Sequence, residues 1–219
     1  MIVYFTHKGG KYFPVDESLK LDPSTPRGLY VNLTNRCNCD CVFCLRQKKS
    51  MAKSSSLWLE REPTVDEVKA ELDRAPWQLV TELVFCGFGE PTIRLDALVE
   101  LLTYSKKIRP TLPTRLNTNG LGELYHGREI ASNFAGILDT ASISLNAATA
   151  ERYFKLTRAT YGLKSFDAML TFAEHMKIFV PHVVLTVVDK VTSPEEISAC
   201  QKICDERGLT LRVRPYEDS

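Results

Sequence analysis

Residues 28–44 read GLYVNLTNRCNCDCVFC. The first part of this stretch, Gly28–Thr34, is an apolar run that is typical of a buried β-strand. Four cysteines then follow within eight residues, from Cys37 to Cys44. Core packing does not explain so dense a cluster, whereas thiolates are suited to bind iron–sulfur clusters or zinc. The stretch therefore predicts a strand that leads directly into a metal-binding loop.

Similar apolar runs recur along the chain and alternate with helical stretches. The six candidate strands are Gly28–Thr34, Leu79–Cys86, Pro113–Thr118, Leu138–Leu145, His182–Val188 and Leu209–Arg214. This alternation predicts an α/β fold of parallel strands with helices packed outside them, either as an open sheet or as a partial barrel. In both arrangements the functional site lies at the carboxyl ends of the strands, where the cysteine loop begins.

Two of the intervening helices have start signals in the sequence. Thr64 and Glu67 form a capping-box pattern, and Ser193 and Glu196 form a second one, with a proline at the first helical position. Gly208 follows the last helix, where a C-terminal glycine is expected. The signals therefore predict where these helices begin and where the last one ends.

Residues 1–27 precede the first candidate strand and are predicted to form a separate small element. The sequence indicates a hairpin that turns at Gly9 and Gly10, followed by a connector that contains prolines. Residues 28–219 are then expected to form one core domain, which is long enough to bury a sizeable apolar core.

The composition is that of a globular protein, with 44% apolar and 25% charged residues in 219. Because 28 Lys and Arg residues face 27 Asp and Glu residues, the charge gives no reason to expect nucleic acid or an anionic membrane as a partner. The N-terminal residues lack the features of a signal peptide, which predicts a cytoplasmic location. Thiols stay reduced there, so the seven cysteines are not interpreted as disulfides.

Zinc and an iron–sulfur cluster make different demands on the cysteine loop. Zinc needs four ligands, normally as two separated pairs, and no further Cys or His pair with this spacing follows in the sequence. If only Cys37, Cys41 and Cys44 bind a cubane cluster, one iron keeps no protein ligand and can accept a cofactor or a substrate. The sequence therefore favours the cluster over zinc.

The spacing of Cys37, Cys41 and Cys44, with Phe43 before the last cysteine, resembles the C-x3-C-x2-C loop of the radical S-adenosylmethionine superfamily. The resemblance implies one 4Fe–4S cluster on these three cysteines and S-adenosylmethionine as a second cofactor. It covers roughly residues 28–215 and implies a partial (β/α)6 barrel of the TIM type, open on one side.

A second motif follows the second candidate strand. Gly87, Phe88, Gly89 and Glu90, followed by Pro91, resemble the G-G-E-P segment of the same superfamily, with Phe88 in place of the second glycine. In the family this segment binds the amino group of the cofactor's methionine part, so the resemblance implies that these four residues contact S-adenosylmethionine. On its own the motif would rather indicate a simple Gly-Pro turn.

Further cofactor contacts are implied at the ends of the next strands. Asn117, Ser144 and Asn146 lie where relatives place polar groups for the methionine and ribose parts of S-adenosylmethionine. Arg158 is implied to meet the cofactor's carboxylate, although a cation is also common at a helix C-terminus. Phe43 offers an aromatic face for the adenine, with packing beside the cluster as the alternative.

The resemblance implies an enzyme that cleaves S-adenosylmethionine reductively to a 5′-deoxyadenosyl radical, which abstracts hydrogen from an unknown substrate. The sequence names no catalytic residue for this step. Two alternatives stay open: a radical activase that acts on a protein partner, and an iron–sulfur sensor or accessory protein without turnover. Leu33–Cys37 and Val84–Thr92 most resemble the TatD-associated radical S-adenosylmethionine proteins, which implies a TatD-type metal-dependent nuclease as a partner.

The remaining cysteines are predicted to have structural roles. Cys39 lies inside the cysteine loop but outside the family spacing, and Cys86 ends an apolar strand and is expected to be buried. Cys200 and Cys204 are one helical turn apart, which suits a core-facing stripe better than a metal site.

The segment after the cysteine loop is basic and rich in serine. Residues 46–56 carry positive charges on Arg46, Lys48, Lys49 and Lys53 and contain no acid. Composition alone predicts a solvated loop. Its position beside the cluster instead favours docking of an acidic electron donor such as flavodoxin or ferredoxin.

Overall fold

The structure is a computed structural model and describes residues 1–7, 11–48 and 56–216. Its strands are β1 (Val3–His7), β2 (Lys11–Pro14), β3 (Arg27–Val31), β4 (Val80–Phe85), β5 (Thr114–Thr118), β6 (Thr140–Ser144), β7 (His182–Val188) and β8 (Thr210–Arg214). Its helices are α1 (Val15–Leu21), α2 (Leu45–Lys48), α3 (Val65–Asp73), α4 (Leu95–Ile108), α5 (Gly122–His126), α6 (Ala150–Thr157), α7 (Lys164–Phe179) and α8 (Pro194–Arg207). The strands form one sheet in the order β2-β1-β3-β4-β5-β6-β7-β8.

The strands from β3 to β8 are parallel, and each pairs with the next one along the chain. Each of them overlaps one of the six candidate strands. Because every crossover adds the next strand to the same side, the strand order never reverses, as it does in a doubly wound sheet. In the described part of the chain β2 and β8 are the two edges and do not pair with each other, so the barrel is open. The predicted partial (β/α)6 barrel of parallel strands with outer helices is confirmed.

The N-terminal hairpin extends this sheet. β1 pairs antiparallel with β2 on one side and with β3 on the other, where Tyr4 lies opposite Tyr30. The first residues are therefore not separate from the core, because they share its sheet. The predicted turn at Gly9 and Gly10 lies outside the described residues, and the domain boundary at residue 27 stays a prediction.

The helix ends follow the sequence signals closely. At α3 the hydroxyl of Thr64 accepts the N–H of Glu67 at 3.2 Å, and the Glu67 carboxylate accepts the N–H of Thr64 at 2.8 Å. At α8 the hydroxyl of Ser193 accepts the N–H of Glu196 at 3.3 Å. The Glu196 carboxylate does not complete the second box, because it turns to Arg152. α8 then ends at a glycine in the left-handed region.

The two faces of the sheet differ in polarity, and this difference positions the site. The outer face and the helices share one apolar core, which includes Leu29, Leu83, Phe85, Leu98, Leu101, Leu116, Ile143, Met169, Phe172 and Leu185. Burial of one such side chain stabilises the fold by about 1.5–3 kcal/mol. On β5, Arg115 and Asn117 alternate with the buried Leu116 and face the concave side. Closed TIM barrels fill this side with apolar side chains. Here it is polar and leaves a cavity.

Among the described residues, none of the helices has the length and apolar character needed to cross a membrane.

Candidate functional site

The concave side of the sheet holds a cavity of about 580 Å³. Its walls are the cysteine loop after β3, the loop after β4, the carboxyl ends of β5, β6 and β8, and the β1–β2 hairpin. Ligand pockets of roughly 300–1,000 Å³ are common in enzymes. The cavity therefore has room for a ligand at the rim where the sequence predicted the site.

The cysteine loop is hydrogen-bonded to the C-terminal end of α6. The backbone N–H of Asp40 donates to the carbonyl oxygen of Thr157 at 2.8 Å, and the N–H of Val42 donates to that of Leu156 at 2.9 Å. The last carbonyl groups of a helix lack partners within the helix. The loop thus uses these free acceptors and is fixed relative to the strand that precedes α6.

The loop brings its thiols into contact. The thiol of Cys39 hydrogen-bonds Cys37 and Cys41, which raises the pKa of Cys39 and lowers that of Cys37. Burial raises the pKa of Cys44. Cys39 is buried in the apolar core, whereas the predicted ligands Cys37, Cys41 and Cys44 are partly exposed. Their assignment as ligands stays a prediction.

The thiols and their surroundings fit an iron–sulfur cluster. Each of three thiolates in one short loop can bind a different iron of a cubane cluster. In addition, Nδ2 of Asn38 and the hydroxyl of Tyr153 are buried without hydrogen-bond partners.

Both of these unpartnered donors belong to the cysteine loop or lie next to it. Asn38 stands between Cys37 and Cys39 in the loop, and the pKa of Tyr153 is raised by burial and by the nearby Cys39 and Cys41. A buried donor without a partner costs about 1–3 kcal/mol. Thiolate and sulfide atoms are acceptors, so the two donors are suited to a site that holds an iron–sulfur cluster.

Glu90 connects the loops around the cavity. Its carboxylate accepts hydrogen bonds from the N–H and hydroxyl of Thr92 at 3.1 and 2.7 Å, from the hydroxyl of Thr118 at 2.7 Å and from the N–H of Asn119 at 2.7 Å. Its side chain is buried, and burial raises its pKa. Most of its acceptor capacity is therefore used by the protein itself. Its predicted contact with S-adenosylmethionine stays a prediction.

The two glycines of the second motif are needed for packing. A Cβ atom on Gly87 would lie 2.0 Å from Oδ1 of Asn32, and one on Gly89 would lie 2.2 Å from the carbonyl oxygen of Thr34. Any side chain here would push the loop after β4 away from the cysteine loop. The resemblance implied that the glycines contact S-adenosylmethionine, and the structure adds a contact between the two loops as a reason for them.

The contacts of Phe88 explain why an aromatic residue stands at the position of the second glycine of the family segment. It is buried in an apolar cluster with Tyr4, Tyr12 and Leu57. Its ring also packs edge-on against Trp58, with 5.4 Å between ring centroids. Phe88 therefore connects the loop after β4 to the N-terminal hairpin.

The predicted cofactor residues do not all reach the cavity. Those that line it are Phe43, Gly87, Phe88, Gly89, Glu90, Asn117 and Ser144, together with the predicted cluster ligand Cys44. Asn146 is buried outside the lining. Arg158 lies on the surface, where its guanidinium is 3.4 Å from the carboxylate of Asp40. Cys86, which was expected to be buried, instead is partly exposed and lines the cavity, because it stands on the concave face where β4 ends.

Asn119 is a site residue that the sequence did not single out. Its Nδ2 donates to Oδ1 of Asn38 at 2.5 Å and lies 3.8 Å from Sγ of Cys37 and 3.6 Å from Sγ of Cys39. The sequence feature that could have identified Asn119 is its position two residues after Asn117, where β5 ends. Arg115, Arg212 and Arg214 also line the cavity and were missed. The sequence feature that could have identified them is a charged residue at alternating positions within a candidate strand.

The other sequence predictions have mixed outcomes. Cys200 and Cys204 are fully buried, as expected for core residues. Arg46 donates to the carbonyl oxygen of Cys39 at 3.2 Å and is 3.7 Å from the carboxylate of Asp40, so it holds the cysteine loop. The proposed docking charges Lys49 and Lys53 lie outside the described residues, as does the side chain of Lys48.

A family model described as Radical SAM superfamily matches residues 31–201, well over half of the chain. GTP 3′,8-cyclase 2 of Mycobacterium bovis is 31% identical over 188 residues, which cover 84% of this chain and 49% of the relative. GTP 3′,8-cyclase of Corynebacterium glutamicum is 32% identical over 196 residues, which cover 85% of this chain and 48% of the relative. The chain thus spans about half the length of the curated relatives it matches.

Among solved structures, SuiB of Streptococcus suis bound to S-adenosylmethionine has a TM-score of 0.63 at 18% identity, over 94% of this chain and 44% of SuiB. At this identity the match shows the fold. Members of the matched family use a 4Fe–4S cluster and S-adenosylmethionine, and the cysteine loop described above fits such a cluster. The chain therefore belongs to the radical S-adenosylmethionine superfamily of enzymes.

Proposed function

We propose that Cys37, Cys41 and Cys44 hold a 4Fe–4S cluster and that the adjoining cavity binds S-adenosylmethionine together with a substrate. The observation that carries the proposal is the meeting of the cysteine loop and the loop after β4 at one rim of a cavity of about 580 Å³. When bound, the cluster and S-adenosylmethionine supply a radical that abstracts hydrogen from the substrate.

In this proposal the residues of the chain bind S-adenosylmethionine, orient it and shield it from water. Phe43 presents an aromatic face for adenine, and Asn117 and Ser144 offer polar groups where β5 and β6 end. Glu90 fixes the relative positions of the three loops that surround the cofactor. Tyr4 and Phe88 close one side of the cavity and exclude water from a reactive species.

The finer features are also part of the proposal. The chain is assigned to the TatD-associated subgroup, with a TatD-type nuclease as partner, flavodoxin or ferredoxin as electron donor and the cytoplasm as location. The likeness of Leu33–Cys37 and Val84–Thr92 to that subgroup supports the assignment. The names of the cyclase relatives leave the substrate open, because the chain spans about half of their length.

Product analysis tests the proposal. The protein is reconstituted anaerobically with iron and sulfide and incubated with dithionite and S-adenosylmethionine, and methionine and 5′-deoxyadenosine are measured by chromatography. Both products are expected in equal amounts. A Cys37→Ala variant is expected to form neither, whereas a Cys200→Ala variant serves as the matched control. Absence of both products with a fully loaded cluster would favour the sensor or accessory alternative.

A radical activase would form the same two products, so a second measurement separates it. The reduced protein is mixed with the proteins that co-purify with it, S-adenosylmethionine is added, and the electron paramagnetic resonance spectrum is recorded. A stable protein radical on a partner would favour the activase. Products without such a radical would favour a small-molecule substrate.

A further inference from the structure

Three arginines line the cavity, and they lie on two strands of the sheet. Arg115 is on β5, and Arg212 and Arg214 are on β8. Since Arg115 precedes Asn117 by two residues, it lies roughly 7 Å further from the carboxyl end of the strand. Nη2 of Arg212 reaches across β7 to the hydroxyl of Ser142 on β6, which accepts at 3.0 Å. The guanidinium groups thus stand below and opposite the rim formed by the cysteine loop.

Among the described residues, the acids near these three arginines neutralise only part of their positive charge. Glu82 forms a two-pronged ion pair with Arg115, at 3.1 and 2.7 Å. Arg212 and Arg214 form no ion pair with any residue in the part of the chain that the structure describes. Glu90 is the single acid among the described residues that line the cavity, and protein donors occupy its carboxylate.

The positive charges are close enough to affect one another. Burial lowers the pKa of Arg212, and the neighbouring Arg115 and Arg214 lower it further. Cations held together in a partly enclosed cavity repel each other, and an anion between them removes the repulsion. A guanidinium group is planar and matches the oxygens of phosphate or carboxylate groups with paired hydrogen bonds.

We infer that the substrate carries an anionic group, a phosphate or a carboxylate, that binds Arg212 and Arg214 while Arg115 supplies a third positive charge. The inference rests on the proposed function, because it assumes that the substrate shares the cavity with S-adenosylmethionine. The anionic group anchors the substrate on the side of β8. Its reacting carbon is then directed toward the cysteine loop.

Equilibrium binding of simple anions tests the inference without turnover. The reconstituted protein, saturated with S-adenosylmethionine, is titrated calorimetrically with pyrophosphate and separately with succinate. The Arg212→Gln/Arg214→Gln variant is compared with an Arg74→Gln/Arg128→Gln control, which changes the net charge equally on the exposed surface. Binding of at least one anion is expected to weaken by about tenfold or more in the cavity variant and to stay unchanged in the control.

Each outcome decides between stated alternatives. Stronger binding of pyrophosphate assigns a phosphate class, and stronger binding of succinate assigns a carboxylate class. Equal affinity in both double variants, or no binding to the wild-type protein, overturns the inference. If the cavity variant instead loses affinity for S-adenosylmethionine, the arginines hold the cofactor's own carboxylate, which also overturns it.

Two controls keep this result separate from folding and from the proposed function. The single variant Arg214→Gln removes a side chain without a described hydrogen bond, so it replaces the double variant if that one does not fold. Cleavage of S-adenosylmethionine by the dithionite-reduced wild-type protein without substrate is measured in parallel. Failure of cleavage in the wild type contradicts the proposed function, whereas anion binding is measured independently of it.

Discussion

Oε2 of Glu90 accepts the backbone N–H of Asn119 at 2.7 Å, so a buried carboxylate joins the loops that follow β4 and β5. The N–H of Glu90 also donates to the carbonyl oxygen of Arg36 at 2.8 Å, which adds the cysteine loop to the same network. Buried hydrogen bonds to a charged group are worth about 1.5–3 kcal/mol. The relative position of the three loops therefore depends strongly on this one side chain.

Glu90→Gln is expected to keep the iron content but to lower the affinity for S-adenosylmethionine and the melting temperature. An amide places a donor where the carboxylate accepts from Thr92, Thr118 and Asn119, so roughly 1–3 kcal/mol of stability is lost. Iron analysis, equilibrium binding and thermal unfolding check this. Glu206→Gln, on the exposed surface, is the control. Unchanged binding and melting would count against the role of Glu90 in ordering the loops.

Cys37→Ala, Cys41→Ala and Cys44→Ala are each expected to abolish the visible absorbance of the cluster and the cleavage of S-adenosylmethionine. Cys39→Ala, Cys86→Ala and Cys200→Ala are expected to retain the cluster. In the proposed assignment three thiolates bind three irons, whereas Cys39 is buried in the apolar core. Absorbance and iron content after reconstitution give the answer. Loss of the cluster in the Cys39 variant would overturn the ligand assignment.

Tyr153→Phe removes one hydroxyl beside Cys39 and Cys41 and changes little else. We expect the cluster to form and its midpoint potential to become more negative, because hydrogen bonds to sulfur stabilise the reduced state. Loss of a bond of roughly 1 kcal/mol corresponds to about 40 mV for one electron. A redox titration followed by electron paramagnetic resonance measures the shift. Tyr104→Phe is the control, because the hydroxyl of Tyr104 donates to the exposed Asp73. Equal midpoint potentials in both variants would contradict a hydrogen bond from Tyr153 to a sulfur of the cluster.

Arg158→Gln is expected to leave the affinity for S-adenosylmethionine within about twofold of wild type. The guanidinium is exposed and faces Asp40, and exposed ion pairs stabilise proteins by about 0–1 kcal/mol. Equilibrium binding checks this, with Arg61→Gln as the control for loss of a surface charge. A tenfold loss of affinity in the Arg158 variant alone would support its predicted role at the cofactor's carboxylate.

Replacing Lys48, Lys49 and Lys53 by Gln is expected to slow cleavage driven by flavodoxin at low salt but not cleavage driven by dithionite. Steering of an acidic donor depends on these charges and is screened near molar salt, where the Debye length is about 3 Å. Arg46→Gln is expected to affect both reactions, because Arg46 holds the cysteine loop. Stopped-flow reduction measures the rates. Equal flavodoxin rates at low salt in wild type and triple variant would leave the segment without a docking role.

The strands and helix caps could be predicted because they depend on local patterns. Leu83 and Leu185 lie in short apolar runs, and Thr64 with Glu67 is a local capping pattern. The roles of Arg115 and Arg212 could not be predicted in the same way. They depend on which face of each strand turns inward and on the curvature that brings β8 near β5.

The same limit applies to the site residues. The motif at Gly87 and Gly89 pointed to the right loop, yet its contact with Asn32 and Thr34 arises only when β3 and β4 are paired. Arg158 carries a family-like pattern, but the end of α6 turns it to the surface.

The β1–β2 hairpin and β8 both lie outside residues 31–201, the part that matches the family. The matched part contains the cysteine loop, Glu90 and Asn117, whereas Tyr4, Tyr12, Arg212 and Arg214 belong to the two flanking walls. On the proposed function, the side chains that would contact a substrate therefore come partly from stretches outside the family match, whereas the cysteine loop lies within it.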